Sequence, residues 1–128
     1  MSVPVTNGHP AAVVVLVVED EALIRCYIAD ILRLAGYRVV ESASGEEAIA
    51  MCTSEVSIDI VFTDINLVGA ASGWDVAERF RAQCPDIAVL YTSGQSMDHG
   101  RCVRESAFVA KPYQPHEIIG ACRKLRAA

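Results

Sequence analysis

The stretch VVVLVVED, Val13 to Asp20, decides the fold, because six apolar residues end abruptly in two acids. Three later stretches follow the same pattern: DIVFTD ends at Asp64, IAVLYTS at Ser93 and FVAK at Lys111. Short apolar runs of this kind are typical of strands buried on both faces. As neighbouring parallel strands, they would bring all of these polar groups to one edge of one sheet. Carboxylates, a hydroxyl and a lysine gathered there are suited to holding a phosphoryl group.

Segments with helical spacing separate these runs. We predict strands over about Val13–Val18, Arg38–Glu41, Ile58–Thr63, Ile87–Thr92 and Phe108–Ala110. We predict helices over about Glu21–Ala35, Ser44–Thr53, Trp74–Gln83 and Pro115–Arg126, and one short helix within Gly94–Ser106. The first helix should bury Ile24, Tyr27, Ile28, Ile31, Leu32 and Ala35. This alternation indicates an α/β fold, a doubly wound five-stranded parallel sheet with helices on both faces, whose ligands bind beyond the carboxyl ends of the strands.

The bulk composition narrows the function classes. The chain has 128 residues and a formal net charge of -5, and we expect one domain over residues 13–128 after a flexible lead-in, residues 1–12. The basic residues are dispersed, which argues against direct nucleic-acid binding. The longest apolar run, Ala11–Val18, is too short for membrane insertion. Five cysteines without a C-x-x-C pair indicate reduced, buried thiols in a cytoplasmic protein.

The motifs VVEDE, VFTDINL, YTSG and AKPY resemble the four signatures of the response regulator receiver domain of two-component signalling. The resemblance covers nearly the whole chain after the lead-in. It implies the flavodoxin-like strand order 2-1-3-4-5 of chemotaxis-type receivers. In that order the strand ending at Asp64 is central, between the strands that end at Asp20 and Ser93.

The resemblance also implies roles for these residues. Asp64 would be the phosphoacceptor, and Asp20 and Asp64 would ligate Mg²⁺, or Mn²⁺ in its place. Glu19 would assist through water, and the Asn66 backbone carbonyl would be a further ligand. Without a cation, three clustered carboxylates would repel one another. The cation is the simplest resolution of that repulsion.

Lys111 and Ser93 complete the implied site. Lys111 would stabilise charge on the phosphoryl oxygens, and its bond to Pro112 would be cis. Ser93, favoured over Thr92, would hydrogen-bond the phosphate, so that Phe108 can rotate in a two-state switch. Phe108 could equally be an ordinary core aromatic.

Two amides, Asn66 and Gln95, stand where the family has variable residues beside the phosphoryl group. Our hypothesis is that they orient a hydrolytic water and shorten the lifetime of the acyl phosphate.

Two stretches depart from the family pattern. In the loop INLVGAASGW after Asp64, Val68 replaces a proline, Ser72 replaces an acid, and one residue is added. The segment from Ser93 to Lys111 is a few residues short. We therefore expect the loop near the metal and the helix before the last strand to differ in shape from those of the family.

The sequence thus predicts a single-domain response regulator, a phosphoacceptor signalling domain rather than an enzyme. It would accept a phosphoryl group from a sensor histidine kinase or a histidine phosphotransfer protein, assist its own slow dephosphorylation, and act on an unknown output protein. Homodimerisation stays open. One alternative is a phosphorylation-independent interaction module. The other is a small aspartyl-phosphate phosphatase, which Asn66 disfavours because such hydrolases usually place an acid there.

Overall fold

Strands and helices alternate along the chain in a computed structural model that describes residues 5–6, 9–10, 12–94 and 99–127. The strands of the main sheet are β1 (Val14–Val18), β2 (Arg38–Ser42), β3 (Ile60–Asp64), β4 (Ala88–Ser93) and β5 (Ala107–Ala110). The helices are α1 (Ala22–Leu34), α2 (Gly45–Ala50), α3 (Gly73–Gln83) and α4 (Pro115–Ala127). Two 3₁₀ turns, Met51–Thr53 and His99–Arg101, complete the regular structure of the described main domain.

The sheet has the order β2-β1-β3-β4-β5, and every strand pair is parallel. The predicted doubly wound fold and the order 2-1-3-4-5 are therefore confirmed. The register pairs Asp64 with Thr92 and Ser93 with Ala110. All three inner strands consequently end at the same edge, with the central strand β3 carrying Asp64.

Two apolar layers hold the sheet, because alternate residues of each strand face opposite sides. On one side the buried residues of α1 and α4 pack on the sheet through Ile28, Leu32, Ile118 and Cys122. On the other side α2 and α3 pack through Ala48, Val76, Ala77 and Phe80. Each fully buried aliphatic or aromatic side chain contributes roughly 1.5–3 kcal/mol, so these layers fix the sheet that carries the site.

Helix α1 buries a narrower face than the periodicity predicted. Ile28, Ala29 and Leu32 are its buried residues, whereas Tyr27 is 48% exposed. The inward placement of Tyr27 was therefore wrong, since the sheet covers a stripe centred one residue further along the helix. Gly36 follows with a φ of +99°, which confirms it as the residue where the helix stops.

Helices α2 and α3 begin at side-chain caps. The Ser44 hydroxyl accepts the Glu47 N–H, as predicted, but the α-helix ends at Ala50 and continues only as the 3₁₀ turn to Thr53. Ser72 and Asp75 cap α3 reciprocally, so that the helix begins at Gly73, one residue earlier than predicted. Ser72 therefore caps α3, a role that the comparison with the acid of the family pattern did not predict.

The shortened segment before β5 is fastened to α3. Arg101 Nη2 lies 3.2 Å from Asp75 Oδ1 and 2.8 Å from Glu78 Oε1. The Val103 N–H donates to the Tyr91 hydroxyl over 3.1 Å. In the described part of this segment the predicted short helix is the 3₁₀ turn His99–Arg101, and residues 95–98 lie outside the described residues.

Within the lead-in, Val5–Thr6 pairs antiparallel with His9–Pro10, and the other residues before Ala12 lie outside the described residues.

The thiols are unpaired, but Cys122 alone is buried, while Cys26 and Cys84 are exposed. Their predicted burial was wrong because both stand on outward positions beside polar neighbours. In the described ranges, no helix combines the length and apolarity needed to span a membrane.

Candidate functional site

A lysine bridges two carboxylates at the carboxyl edge of the sheet. Lys111 Nζ lies 2.7 Å from Asp64 Oδ2 and 3.1 Å from Glu19 Oε1. Lys111 follows β5, which is two strands away from β3, and strands are spaced by about 4.8 Å. Only a long side chain could span that distance. The structure therefore brings together residues that are 92 and 47 positions apart in the chain.

Asp64 is held rigidly at the end of β3. Asp64 is only 5% exposed, and its Oδ1 accepts the Asn66 N–H over 2.9 Å. The Gly73 N–H donates to the Ile65 carbonyl over 3.0 Å, and a Cβ on Gly73 would overlap the Asp64 carbonyl oxygen. Glycine is therefore required where α3 begins, because its backbone lies directly against the peptide that carries Asp64.

Three carboxylates form the acidic part of the site. Glu19, Asp20 and Asp64 each offer an oxygen, and these oxygens lie within 4.8 Å of one another. Glu19 is buried and Asp20 half-buried. Clustered carboxylate oxygens are the ligands that Mg²⁺ prefers, and Mg²⁺ is usually held by one or two carboxylates together with phosphate oxygens. The donor set therefore fits the predicted cation.

Burial and hydrogen bonds shift the pKa values of the neighbouring acids Glu19 and Asp20 in opposite directions. Burial raises the pKa of Glu19 to about 7, against hydrogen bonds from the Glu21 N–H and Lys111 that lower it. Burial also raises the pKa of Asp20, but the Val68 N–H and the Glu19 carboxyl outweigh it, so the net shift is downward. The pKa of Lys111 is raised, because its bonds to Asp64 and Glu19 outweigh burial. Lys111 therefore stays protonated at neutral pH.

The raised pKa of Glu19 predicts that the cation-free protein loses stability as pH rises. Between the ordinary value of 4.5 and about 7, the folded state keeps a proton that the unfolded state has released. We expect Glu19→Gln, which is always neutral, to remove this decline. Its free energy of unfolding relative to wild type should rise by on the order of 1–3 kcal/mol from about pH 5 to about pH 7.5.

Urea unfolding of both proteins in chelator, at each pH, measures that difference. Titrations of groups that do not interact with Glu19 cancel in the comparison, and the lowered pKa of Asp20, to which Glu19 contributes, acts in a separate window below its ordinary value of 3.8. A difference between variant and wild type that is the same at both pH values would contradict the electrostatic account.

The hydroxyl of Ser93, at the end of β4, lies beside the loop that follows Asp64. Asn66 Nδ2 donates to Ser93 Oγ over 2.9 Å, and Ser93 is buried. Thr92 is the register partner of Asp64, and its Oγ1 is buried without a hydrogen-bond partner among the described residues. Of the two hydroxyls, that of Ser93 is therefore the one with an observed contact to the loop after Asp64.

The remaining predicted site residues are placed as follows. Phe108 is half-buried and packs against the apolar layer of α2 and α3. The Lys111–Pro112 peptide bond is cis, as the resemblance implied. Gln95 lies outside the described residues.

Sequence reasoning missed two residues that shape the site through the loop after Asp64. The Val68 N–H donates to Asp20 Oδ2 over 2.9 Å, and Glu46 Oε1 accepts the Ala71 N–H over 2.8 Å. The sequence did show that Val68 stands where the family has a proline. That difference was the available signal for the bond to Asp20, because proline has no N–H to donate. Nothing in the sequence pointed to Glu46.

Comparisons with known proteins agree with this geometry. A response regulator receiver protein from Sinorhizobium medicae WSM419 is 33% identical, with a TM-score of 0.88 over 91% of this chain and 96% of that chain. The receiver domain of the hybrid histidine kinase CckA is 27% identical, with a TM-score of 0.74 over 88% and 97%. The response regulator SaeR of Staphylococcus aureus (strain USA300) is 28% identical over 81% of this chain.

The match to SaeR covers 46% of that protein, so the chain spans about half the length of the curated relatives it matches. The family model of the response regulator receiver domain matches residues 15–123, which include the five strands of the main sheet, apart from Val14, and most of α4. Receiver domains are signalling modules of two-component systems rather than classical enzymes. By sequence, by fold and by the arrangement of its acidic edge, the chain belongs to the response regulator receiver domain family.

Proposed function

We propose that this receiver accepts a phosphoryl group onto Asp64 from a phosphohistidine of a sensor histidine kinase or a histidine phosphotransfer protein, in a Mg²⁺-dependent reaction. The observation that carries the proposal is the 2.7 Å contact of Lys111 Nζ with Asp64 Oδ2, beside the cluster of Glu19, Asp20 and Asp64. A buried nucleophile, a fixed ammonium and oxygen ligands for a cation stand together at one sheet edge. Phosphoryl transfer needs this combination of positioning and charge neutralisation.

In the proposed step an Asp64 carboxylate oxygen attacks phosphorus and forms an acyl phosphate. The bond from phosphorus to the histidine nitrogen breaks, and its electron pair stays on the imidazole. Lys111 would neutralise charge on the equatorial oxygens. Glu19, Asp20, Asp64 and the Asn66 carbonyl would hold Mg²⁺ or Mn²⁺, which supplies further neutralisation of the phosphoryl charge when bound.

The proposed output is a switch at β4 and β5. Ser93 would donate its hydroxyl to a phosphoryl oxygen on Asp64, drawing the end of β4 inward. Phe108 lies on the neighbouring strand, in register with Tyr91. Its half-buried ring could then change position, and phosphate would bias the equilibrium between two arrangements.

Asn66 and Gln95 are the proposed determinants of acyl-phosphate lifetime. Asn66 is exposed at the mouth of the site and carries an amide that can orient a water towards phosphorus. We expect Asn66→Leu and Gln95→Leu each to slow decay of the label by several fold, less than the roughly 10²-fold or more of a general acid or base, because an amide orients the water without taking its proton. Decay of the phosphorylated protein, followed by intact mass after donor removal, measures this. Unchanged decay in both variants would refute it.

An exposed apolar patch beside the site supports a protein as the phosphodonor. Leu23 is 87% exposed and Tyr27 is 48% exposed on the outer face of α1. A neighbouring apolar cavity of about 490 Å³ is lined by Ile24, Tyr27, Gly94, Lys111, Pro112 and Tyr113. Exposed apolar surface of this kind marks interaction sites. A partner bound there would present its phosphohistidine next to Lys111.

The cellular setting follows from the same proposal. The five unpaired thiols and the kinase partner favour the cytoplasm. The acidic net charge gives no reason to expect direct nucleic-acid binding or membrane insertion. The output would pass through a protein not yet identified, and homodimerisation is compatible with the fold. Residues 13–128 would form the receiver domain and residues 1–12 its lead-in.

Incubation with acetyl phosphate, with Mg²⁺ or with chelator, tests the proposal by intact mass. We expect one phosphoryl group per chain with Mg²⁺ and an unmodified chain with chelator. A chain that stays unmodified in both would favour a phosphorylation-independent interaction module.

A further inference from the structure

We propose that the loop between β3 and α3, residues 65–72, is a strap that positions Asp20 for the cation through the backbone N–H of Val68, and that Glu46 anchors this strap. The inference rests on the proposed cation site and adds two residues to it. Neither would be a ligand. Both would act through Asp20, as positioning residues.

The middle of the strap contacts Asp20 directly. The Val68 N–H donates to Asp20 Oδ2 over 2.9 Å, across 48 positions of sequence. The Val68 side chain is 78% exposed, so the backbone makes the contact and the side chain adds little packing. A hydrogen bond to one oxygen restricts the rotation of the carboxylate. Its second oxygen is then already placed, and cation binding no longer has to order it.

The C-terminal end of the strap is fixed to the start of α2. Glu46 Oε1 accepts the Ala71 N–H over 2.8 Å. Gly45 lies so close that a Cβ on it would be 2.5 Å from the Ala71 carbonyl oxygen. Gly69 takes a φ of +118° beside the Glu46 carboxylate, a conformation that favours glycine. The Ile65 N–H also donates to the Thr92 carbonyl over 3.0 Å, so the loop is held at both ends, and this sets the position of the Val68 N–H in its middle.

Hydrogen bonds to a ligating carboxylate tune metal affinity, and removing such a partner typically costs 10–100-fold. Val68→Pro removes the donor, since proline has no N–H. Val68→Ala keeps it and changes only an exposed side chain. Glu46→Ala removes the anchor, whereas Glu46→Gln keeps an oxygen acceptor for the Ala71 N–H.

Mn²⁺ binding by the full chain, measured by electron paramagnetic resonance, tests the strap. We expect Val68→Pro to weaken Mn²⁺ binding roughly tenfold, at the low end of that range, and Val68→Ala to match wild type. Glu46→Ala should weaken binding about threefold and Glu46→Gln should restore it, which covers the case in which proline disrupts folding. Urea unfolding without cation reports separately on the stability of each variant.

Equal Mn²⁺ affinity in wild type, Val68→Pro and Glu46→Ala would overturn the strap and leave the cation site intact. A wild-type chain that binds no Mn²⁺ would instead overturn the cation site itself, and the strap with it. If Glu46→Gln weakened Mn²⁺ binding as much as Glu46→Ala does, the role of Glu46 as a hydrogen-bond anchor would be overturned.

Discussion

The Asp64→Asn variant is expected to take up no measurable phosphoryl group from acetyl phosphate, a loss on the order of 10³-fold or more. The carboxamide keeps the shape of the side chain and an oxygen that can accept the Asn66 N–H. It is a poor nucleophile, and it lacks the charge that pairs with Lys111 over 2.7 Å. The substitution therefore removes the nucleophile and keeps most of the local packing. Intact mass over time, beside wild type, measures the effect.

The matched control for this variant is Asp86→Asn. Asp86 is exposed just before β4, at the opposite edge of the sheet, so its neutralisation leaves the site untouched. We expect the control to be labelled at the wild-type rate. Labelling of Asp64→Asn as fast as that of Asp86→Asn would place the phosphoacceptor on another residue.

Lys111→Ala is expected to slow phosphorylation of Asp64 by about a hundredfold, the effect typical of losing one preorganised electrostatic contact to the transition state. Lys111 is the ammonium that contacts both Asp64 and Glu19. Without it, charge on the transferred phosphoryl group is less neutralised. The nucleophile is still present, so the label should form slowly and at the same residue.

Lys124→Ala is the matched control, because Lys124 is exposed in the last turn of α4. The initial labelling rates of wild type, Lys111→Ala and Lys124→Ala are compared at saturating Mg²⁺. A Lys111→Ala rate within twofold of the control rate would remove Lys111 from the proposed chemistry.

The convergence of the site could be predicted because it depends on strand order and strand ends. Glu19, Asp64 and Lys111 each end or follow an apolar run, and parallel strands end at a common edge. Once the order β2-β1-β3-β4-β5 is set, the lysine must reach across β4 to meet the two acids. The hydrogen bonds of Lys111 show that it does.

The loop contacts could not be predicted, because they depend on backbone conformation without periodicity. The bonds from Val68 to Asp20 and from Ala71 to Glu46 are made by main-chain N–H groups, which every residue except proline carries. The exposure of Tyr27 was missed for a related reason. Apolar spacing shows which face of a helix is apolar, but the width of the sheet beneath decides how much of it is buried.

Mapping the label tests the central claim, that Asp64 carries the phosphoryl group. The wild-type chain would be phosphorylated with acetyl phosphate and Mg²⁺, and the acyl phosphate would be trapped by borohydride reduction before peptide sequencing by mass spectrometry. We predict a single reduced residue, at position 64, in the peptide that spans the end of β3. Reduction confined to another acid, such as Asp20 or Glu19, or no reduced residue in a chain that carries label, would contradict the account.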